Sequence, residues 1–193
     1  MLINCNIIMI TIRNATIQDI DKIYAVECET YETHHWSKKS FINELKTEHS
    51  KYFVCESNSD NKEIVGYAGY WIVGNEGHIT TMVVCQRYRR RHIADILLYK
   101  LIDSAIRNNI KWLTLEVRAS NIAAIALYSK YDFKQLGIRK NYYQDDNEDA
   151  LILWTDDIST PQYIKLIKDR YMLIKNKIDI ADILQYDQIK END

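Results

Sequence analysis

Residues 63–84 read EIVGYAGYWIV, GNEG, HITTMVV: two runs rich in β-branched and aromatic residues flank a short turn cluster. That pattern is a hairpin signature, and it commits the middle of the chain to a sheet. After Cys85 and Gln86 comes RYRRRHIADILL (87–98), five of whose first six residues are basic or can become so. Ile93, Leu97, Leu98, Leu101, Ile102 and Ala105 then share one helical face, which predicts a helix from Arg90 to about Asn108. A strand running into a helix start suits an anion, because first-turn amides lack intrahelical partners and the dipole end is positive. Taken alone, the basic run fits nucleic acid, a phosphorylated cofactor or a solvated surface.

The remaining periodicity extends this unit in both directions. MITIRNA alternates as a strand, and Thr16 with Asp19 forms an acidic capping box before Ile17, Ile20, Ile23, Tyr24, Val26 and Glu27 at helical spacing. Ser37 caps a second helix carrying Phe41, Ile42 and Leu45, and KYFVCES is a strand ended by NSDNK. KWLTLEV reads as a buried strand, Ser120 or Asn121 as a cap on IAAIALYSKY, and FKQLGIRKNYY with DALILWT as a closing strand pair. The order β-α-α-β-β-β-α-β-α-β-β predicts an α/β (α+β) domain, a mixed sheet flanked by helices, over residues 1–158 with its core at about 10–155. Thr160 and Pro161 start a helix, and Ile164, Ile167, Tyr171, Ile174, Ile178 and Ile183 carry the periodicity on. Residues 159–193 are therefore expected as a C-terminal helical extension, packed on the domain or offered to a partner.

Composition narrows the function classes. With 25 Lys and Arg against 27 Asp and Glu, the net charge of −2 makes any positive site local and disfavours nucleic acid as partner. Cys5, Cys28, Cys55 and Cys85 form no C-x-x-C pair, and His34, His35, His49, His78 and His92 show no ligand spacing. No metal site or disulfide frame is expected, and the thiols fit a reducing compartment. No apolar run approaches the roughly 20 residues of a membrane span, and the N-terminus lacks signal-peptide features. The expectation is a cytoplasmic protein, with plastid stroma as the alternative.

The segment LTLEVRASNIAAIALYSKYDF (113–133) carries the chemistry. It sets Glu116 on an otherwise apolar strand, where an ionised carboxylate loses hydration. Either Glu116 pairs with a neighbour such as Arg118, or it does chemistry. Tyr128, two turns into the following helix, is a core aromatic or a proton donor.

TMVV with RRRHIADILL, LEVRASNIAAIALYSKYDF and RKNYYQDDNEDALIL together resemble the GNAT acetyltransferases, and within them the ribosomal-protein-alanine N-acetyltransferase (RimI) group. The resemblance covers about residues 10–155. HHWSKKSF is similar to the family's Pro-Trp-Ser segment, with His35 in the proline's place. It implies the GNAT fold, acetyl-CoA as cosubstrate without a metal, and a cleft between two splayed strands. Backbone groups of Met82, Val83 and Val84 would then hold the acetyl and pantetheine, with a Val83 or nearby N–H on the acetyl oxygen. Arg89, Arg90, Arg91, His92, Ile93, Ala94 and Asp95 would cradle the diphosphate. The family pattern Gln/Arg-x-x-Gly-x-Gly/Ala has His92 in place of its first glycine. Cofactor binding is expected to survive, because helical φ/ψ needs no glycine and Ala94 keeps the second small position.

The same resemblance implies Glu116 as general base, Tyr128 as general acid and Asn121 as a CoA contact. It further implies Trp36, Tyr142 and Tyr143 as a peptide-binding rim, the tyrosines on a loop before QDDNEDA. The partner would be a protein N-terminus, that of a ribosomal protein beginning with alanine, and the enzyme a monomer or weak dimer without nucleic-acid or membrane partners. Acetylation of a small amine or lysine, and a non-catalytic acyl-CoA-binding module, are the alternatives.

Overall fold

Strand β2 (Ser50–Ser57) turns Tyr52 and Val54 to one face and Phe53 and Cys55 to the other, and all four are buried. A strand apolar on both faces needs a layer on each. The computed structural model, which describes residues 9–31, 36–58, 61–178 and 180–183, has both layers. Strand β1 (Ile10–Asn14) leads through a single 3-10 turn into helices α1 (Ile20–Thr30) and α2 (Lys38–Lys46). After β2 come β3 (Ile64–Val73), β4 (Glu76–Val84), α3 (Ile93–Arg107), β5 (Trp112–Arg118), α4 (Ile122–Ser129), β6 (Lys134–Tyr143) and β7 (Glu148–Trp154). Helix α5 (Pro161–Lys175) and strand β8 (Ile180–Ile183) follow.

One sheet holds the strands in the order β6-β7-β5-β4-β3-β2-β1-β8. Only β4–β5 and β1–β8 are parallel; every other neighbour is antiparallel. Ile20, Ile23 and Val26 of α1 and Phe41 of α2 cover Tyr52, Val54 and Tyr67. On the opposite face α3, with Leu127 and Tyr128 of α4 and Tyr163, Ile167 and Ile174 of α5, covers Phe53, Cys55 and Tyr70. The predicted hairpin forms with a two-residue turn whose first residue, Gly74, has φ of 62°, the left-handed value that favours glycine there.

Three local expectations change. Helix α3 begins at Ile93, three residues after the predicted start, because Arg90 and His92 are held at left-handed φ of 63° and 60°. Tyr142 and Tyr143 end strand β6 rather than lying on a loop. In the extension, α5 starts at the Thr160 cap as read, but Ile180–Ile183 form β8 beside β1, so pairing to an open edge overrides the helical periodicity. Helix α5 is fixed by the Tyr171 ring stacked on Tyr99 of α3 at 4.6 Å and by the Tyr163 hydroxyl donating to the Tyr131 carbonyl at 2.8 Å. His34, His35 and residues 184–193 lie outside the described residues.

The first crossover is clamped by charge. Arg13 of β1 donates two bonds to Asp19, at 2.7 and 2.8 Å, and one to Glu56 of β2 at 2.8 Å. The amide and hydroxyl of Thr16 donate to the same Asp19 carboxylate. Burial pushes the Asp19 pKa up, but the Arg13 and Thr16 hydrogen bonds outweigh it and hold the group below its ordinary value. A carboxylate lowered in this way stabilises the fold above its unfolded pKa of about 3.9, and that contribution fades as pH falls through the folded value. Asp19→Asn is expected to cost about 2 kcal/mol at neutral pH. Urea titrations should show the gap between the two proteins closing in acid below the ordinary Asp range.

Candidate active site

Strands β4 and β5 are paired at only three rungs, Glu76 with Trp112, Gly77 with Leu113 and His78 with Thr114, and then part. The parting begins where β4 carries an extra residue. Gly69 of β3 faces Thr81 and Tyr70 faces Ile79, so Thr80 bulges out, its hydroxyl bonded to the Gly69 carbonyl at 3.3 Å. A bulge bends its strand away from a straight ladder. Gly69 is required there, since a Cβ would lie 2.6 Å from the Tyr52 ring.

Backbone alternation then decides what faces the notch. The Cys85 N–H donates to Val65, so the pair two residues back, Val83 with Tyr67, also exchanges its bonds within the β3–β4 ladder. Met82 and Val84, between these pairs, direct their N–H and C=O groups away from β3, toward the side that β5 has left. Val83 is instead committed to the sheet, its side chain buried under α1.

At the end of β4, Arg87 and the Tyr88 hydroxyl are both taken by Glu63, while Arg89 Nε donates to the Val84 carbonyl at 3.3 Å. Arg91 lies over the Tyr88 ring at 5.7 Å. Arg90 and Arg91 have no carboxylate partner among the described residues. Ile96 is the first amide of α3 to bond back, to His92, leaving those of Ile93, Ala94 and Asp95 without helical partners. The junction is therefore an anion cradle with two unneutralised arginines. His92 occupies a left-handed position, not the helical one expected, so the glycine it replaces answers a backbone demand as well as one for space. Its Nδ1 lies 3.3 Å from Asp95.

The other wall comes from β5, α4 and β6. Glu116 pairs with Arg139 of β6 at 3.1 Å, not with Arg118. The Arg118 fork is held by Asp145, Asp146 and Glu148, and its plane lies 3.9 Å over the Tyr143 ring. Tyr128 is 7% exposed, yet its hydroxyl has no hydrogen-bond partner among the described residues. Burial, then the nearby Tyr31 and Tyr143, raise its pKa, so it keeps its proton. Tyr143 is pushed up to about 12 by burial, against the pull of Arg118, with Tyr31 and Glu116 also in electrostatic range. Tyr31 and Tyr143 thus lie within electrostatic range of Tyr128, and Glu116 within range of Tyr143. Asn121 caps α4 through its side-chain oxygen, on the Ala124 amide at 3.1 Å. Trp36 packs on Phe41, while the Tyr142 ring stands edge-on to Tyr143 at 5.2 Å.

Three contributors escaped the sequence reading. Glu27, buried on α1, accepts from the Tyr67 hydroxyl and from the Trp36 amide at 2.9 Å, tying the chain beyond α1 to β3. An acid on the apolar stripe of α1 was the available signal. Tyr31 ends α1 with nothing in its local pattern to mark it. Arg139 meets Glu116 only through the β6–β7–β5 register, which no local pattern reveals.

Residues 17–133 match the acetyltransferase (GNAT) family. The chain is a GNAT acetyltransferase. It is 37% identical over 144 residues to a Bacillus subtilis protein named as a candidate [ribosomal protein bS18]-alanine N-acetyltransferase, across 74% of this chain and 93% of that one. It is 35% identical over 156 residues to an N-alpha-acetyltransferase of Saccharolobus solfataricus, across 74% and 90% of the two chains. The crystal structure of the ribosomal-protein-S18-alanine N-acetyltransferase from Escherichia coli superposes with a TM-score of 0.69 at 32% identity, across 77% of this chain and 94% of that one. The mixed sheet with helices on both faces is the GNAT fold, and no metal-holding group of three or more His, Cys, Asp or Glu occurs among the described residues. Nor is any described helix long and apolar enough to cross a membrane.

The GNAT helix start offers a direct stability test. A β-branched residue tolerates left-handed φ worst, so His92→Val should lose about 1–2 kcal/mol, whereas His92→Gly should lose none. Thermal unfolding of the three proteins checks this, and equal midpoints would contradict the left-handed assignment.

Proposed function

We propose that this GNAT acetyltransferase moves the acetyl group of acetyl-CoA directly to the N-terminal α-amine of a protein, a ribosomal protein beginning with alanine. The observation carrying this reading is the notch itself: outward-facing β4 backbone on one side, Glu116 and an unbonded Tyr128 hydroxyl on the other. The named activities of the Bacillus and Escherichia relatives supply the substrate class.

Met82 and Val84 present backbone groups to the pantetheine arm and acetyl group as an added strand would, and one of their amides meets the negative charge that develops on the acetyl oxygen. The first-turn amides of α3, with Arg89, Arg90 and Arg91, hold the diphosphate, and the side-chain nitrogen of Asn121 is left for CoA. Glu116, ion-paired with Arg139, draws a proton from the attacking amine directly or through a water. Tyr128, which burial keeps protonated, gives its proton to the departing sulfur and is reprotonated after product leaves. The new C–N bond forms as the C–S bond breaks, with no acyl-enzyme. Trp36, Tyr142 and Tyr143 border the peptide.

Amine basicity favours an α-amine. At pH 7.4 an α-amine of pKa about 7.8 is roughly a quarter neutral, and a lysine of about 10.4 is only about 0.1% neutral. A lone carboxylate base therefore has far less work to do on the α-amine.

CoA release should be rapid with a peptide beginning Ala-Arg and slow with free lysine or spermine; preference for either small amine would overturn the peptide reading. Glu116→Gln and Tyr128→Phe should each lower kcat by about 10²-fold while leaving the acetyl-CoA dissociation constant within about twofold. An unchanged kcat in either variant removes that residue from catalysis.

A further inference from the structure

Away from the first turn of α3, a cavity of about 460 Å³ lies between the end of β1, the start of β2, Leu45 of α2 and the second half of α3. Its lining includes Lys51, Lys100, Arg107, Ser104, Asn108 and Asn14, and no carboxylate. Lys100 is the unusual member. It is 6% exposed, its closest partner is the Phe53 ring 5.4 Å from the ammonium, and among the described residues it makes no hydrogen bond or carboxylate pair. Its stem is packed away while the ammonium, bonded to no described protein group, still reaches solvent, so it opens into the cavity. Burial lowers its pKa, with Asp103 opposing and Arg107 adding to the effect.

The neighbours are arranged around the same opening. Arg107 is anchored by Asp103 at 3.1 Å, and among the described residues Lys51 bonds the Glu48 carbonyl alone, at 3.2 Å. The Asn108 side-chain nitrogen donates to the Ser104 carbonyl at 2.7 Å, and the Ser104 hydroxyl meets Tyr70 at 2.9 Å. Three cationic side chains thus line one polar cavity, with Asp103, paired to Arg107, as the neighbouring carboxylate. At 1.5 Å per residue, Lys100 and Arg107 lie about 10 and 20 Å along α3 from its first turn.

We propose that this cavity is a second ligand site, specific for a small oxyanion, a phosphate or a polycarboxylate, held by Lys100 with Lys51 and Arg107. It is separate from the acetyl-transfer notch and does not depend on how that notch functions. The volume suits one charged group with a body the size of a sugar or short acid.

Isothermal titration of the full-length protein with inorganic phosphate, and separately with citrate, tests the site. Saturating CoA is added first so that the α3 first turn is filled. If CoA does not bind, the titrations run without it and the same variants decide. The wild type should bind at least one probe at a single site, and which probe binds identifies the chemistry. Lys100→Met should weaken it at least tenfold, about 1.4 kcal/mol, without lowering the unfolding temperature. Lys51→Glu, a change at a half-exposed position, should weaken it several-fold. Wild-type protein binding neither probe, or both variants binding as the wild type does, would overturn the proposal.

Discussion

The parting of β4 from β5 is the constraint on which the rest of the molecule depends. Three parallel rungs hold the two strands together, and the Thr80 bulge then bends β4 while β5 continues in its ladder with β7. The proposed acetyl-transfer groups are arranged around the gap. The ladder with β3 uses every second backbone unit of β4, so the unused ones face outward by geometry alone. No side chain has to be specified for that, which is why a strand as plain as TTMVV can serve as a recognition surface.

The same economy governs the charges. Arg87 and Arg118 carry carboxylates around them, whereas Arg90 and Arg91 carry none among the described residues. Neutralised arginines build the frame, and the unneutralised ones stand at the start of α3, where we propose that a diphosphate enters. The proposed acid–base pair, Glu116 and Tyr128, sits in two unlike environments. Glu116 is ion-paired with Arg139, while burial raises the pKa of the Tyr128 phenol. A carboxylate and a protonated phenol suit the proposed reaction, which needs a base and an acid in the same step.

Much of this was legible in the chain because it is local. Period-two and helical spacing marked the hairpin, the strands and the α3 face, and Ser37, Asn121 and Thr160 cap the helices whose starts they signalled. What stayed hidden was non-local or conformational. The partner of Glu116 is reached across two strand registers, so proximity in sequence favoured Arg118, which the 145–148 turn had already engaged. His92 looked acceptable because helices do not need glycine; its residue lies one position before the helix, where the backbone is left-handed. Ile178 and Ile183 kept helical spacing, yet the open edge of β1 supplied hydrogen-bond partners that periodicity does not register.

Residue-resolved amide hydrogen exchange along β4 and the start of α3 tests the central claim most directly. In the free protein Met82 and Val84 should exchange quickly, with Val83 between them protected by β3. Acetyl-CoA should slow Met82, Val84, Ile93, Ala94 and Asp95 together and leave Val83 nearly unchanged. Uniform protection along β4 in the free protein, or no change at either segment on adding acetyl-CoA, would contradict the account.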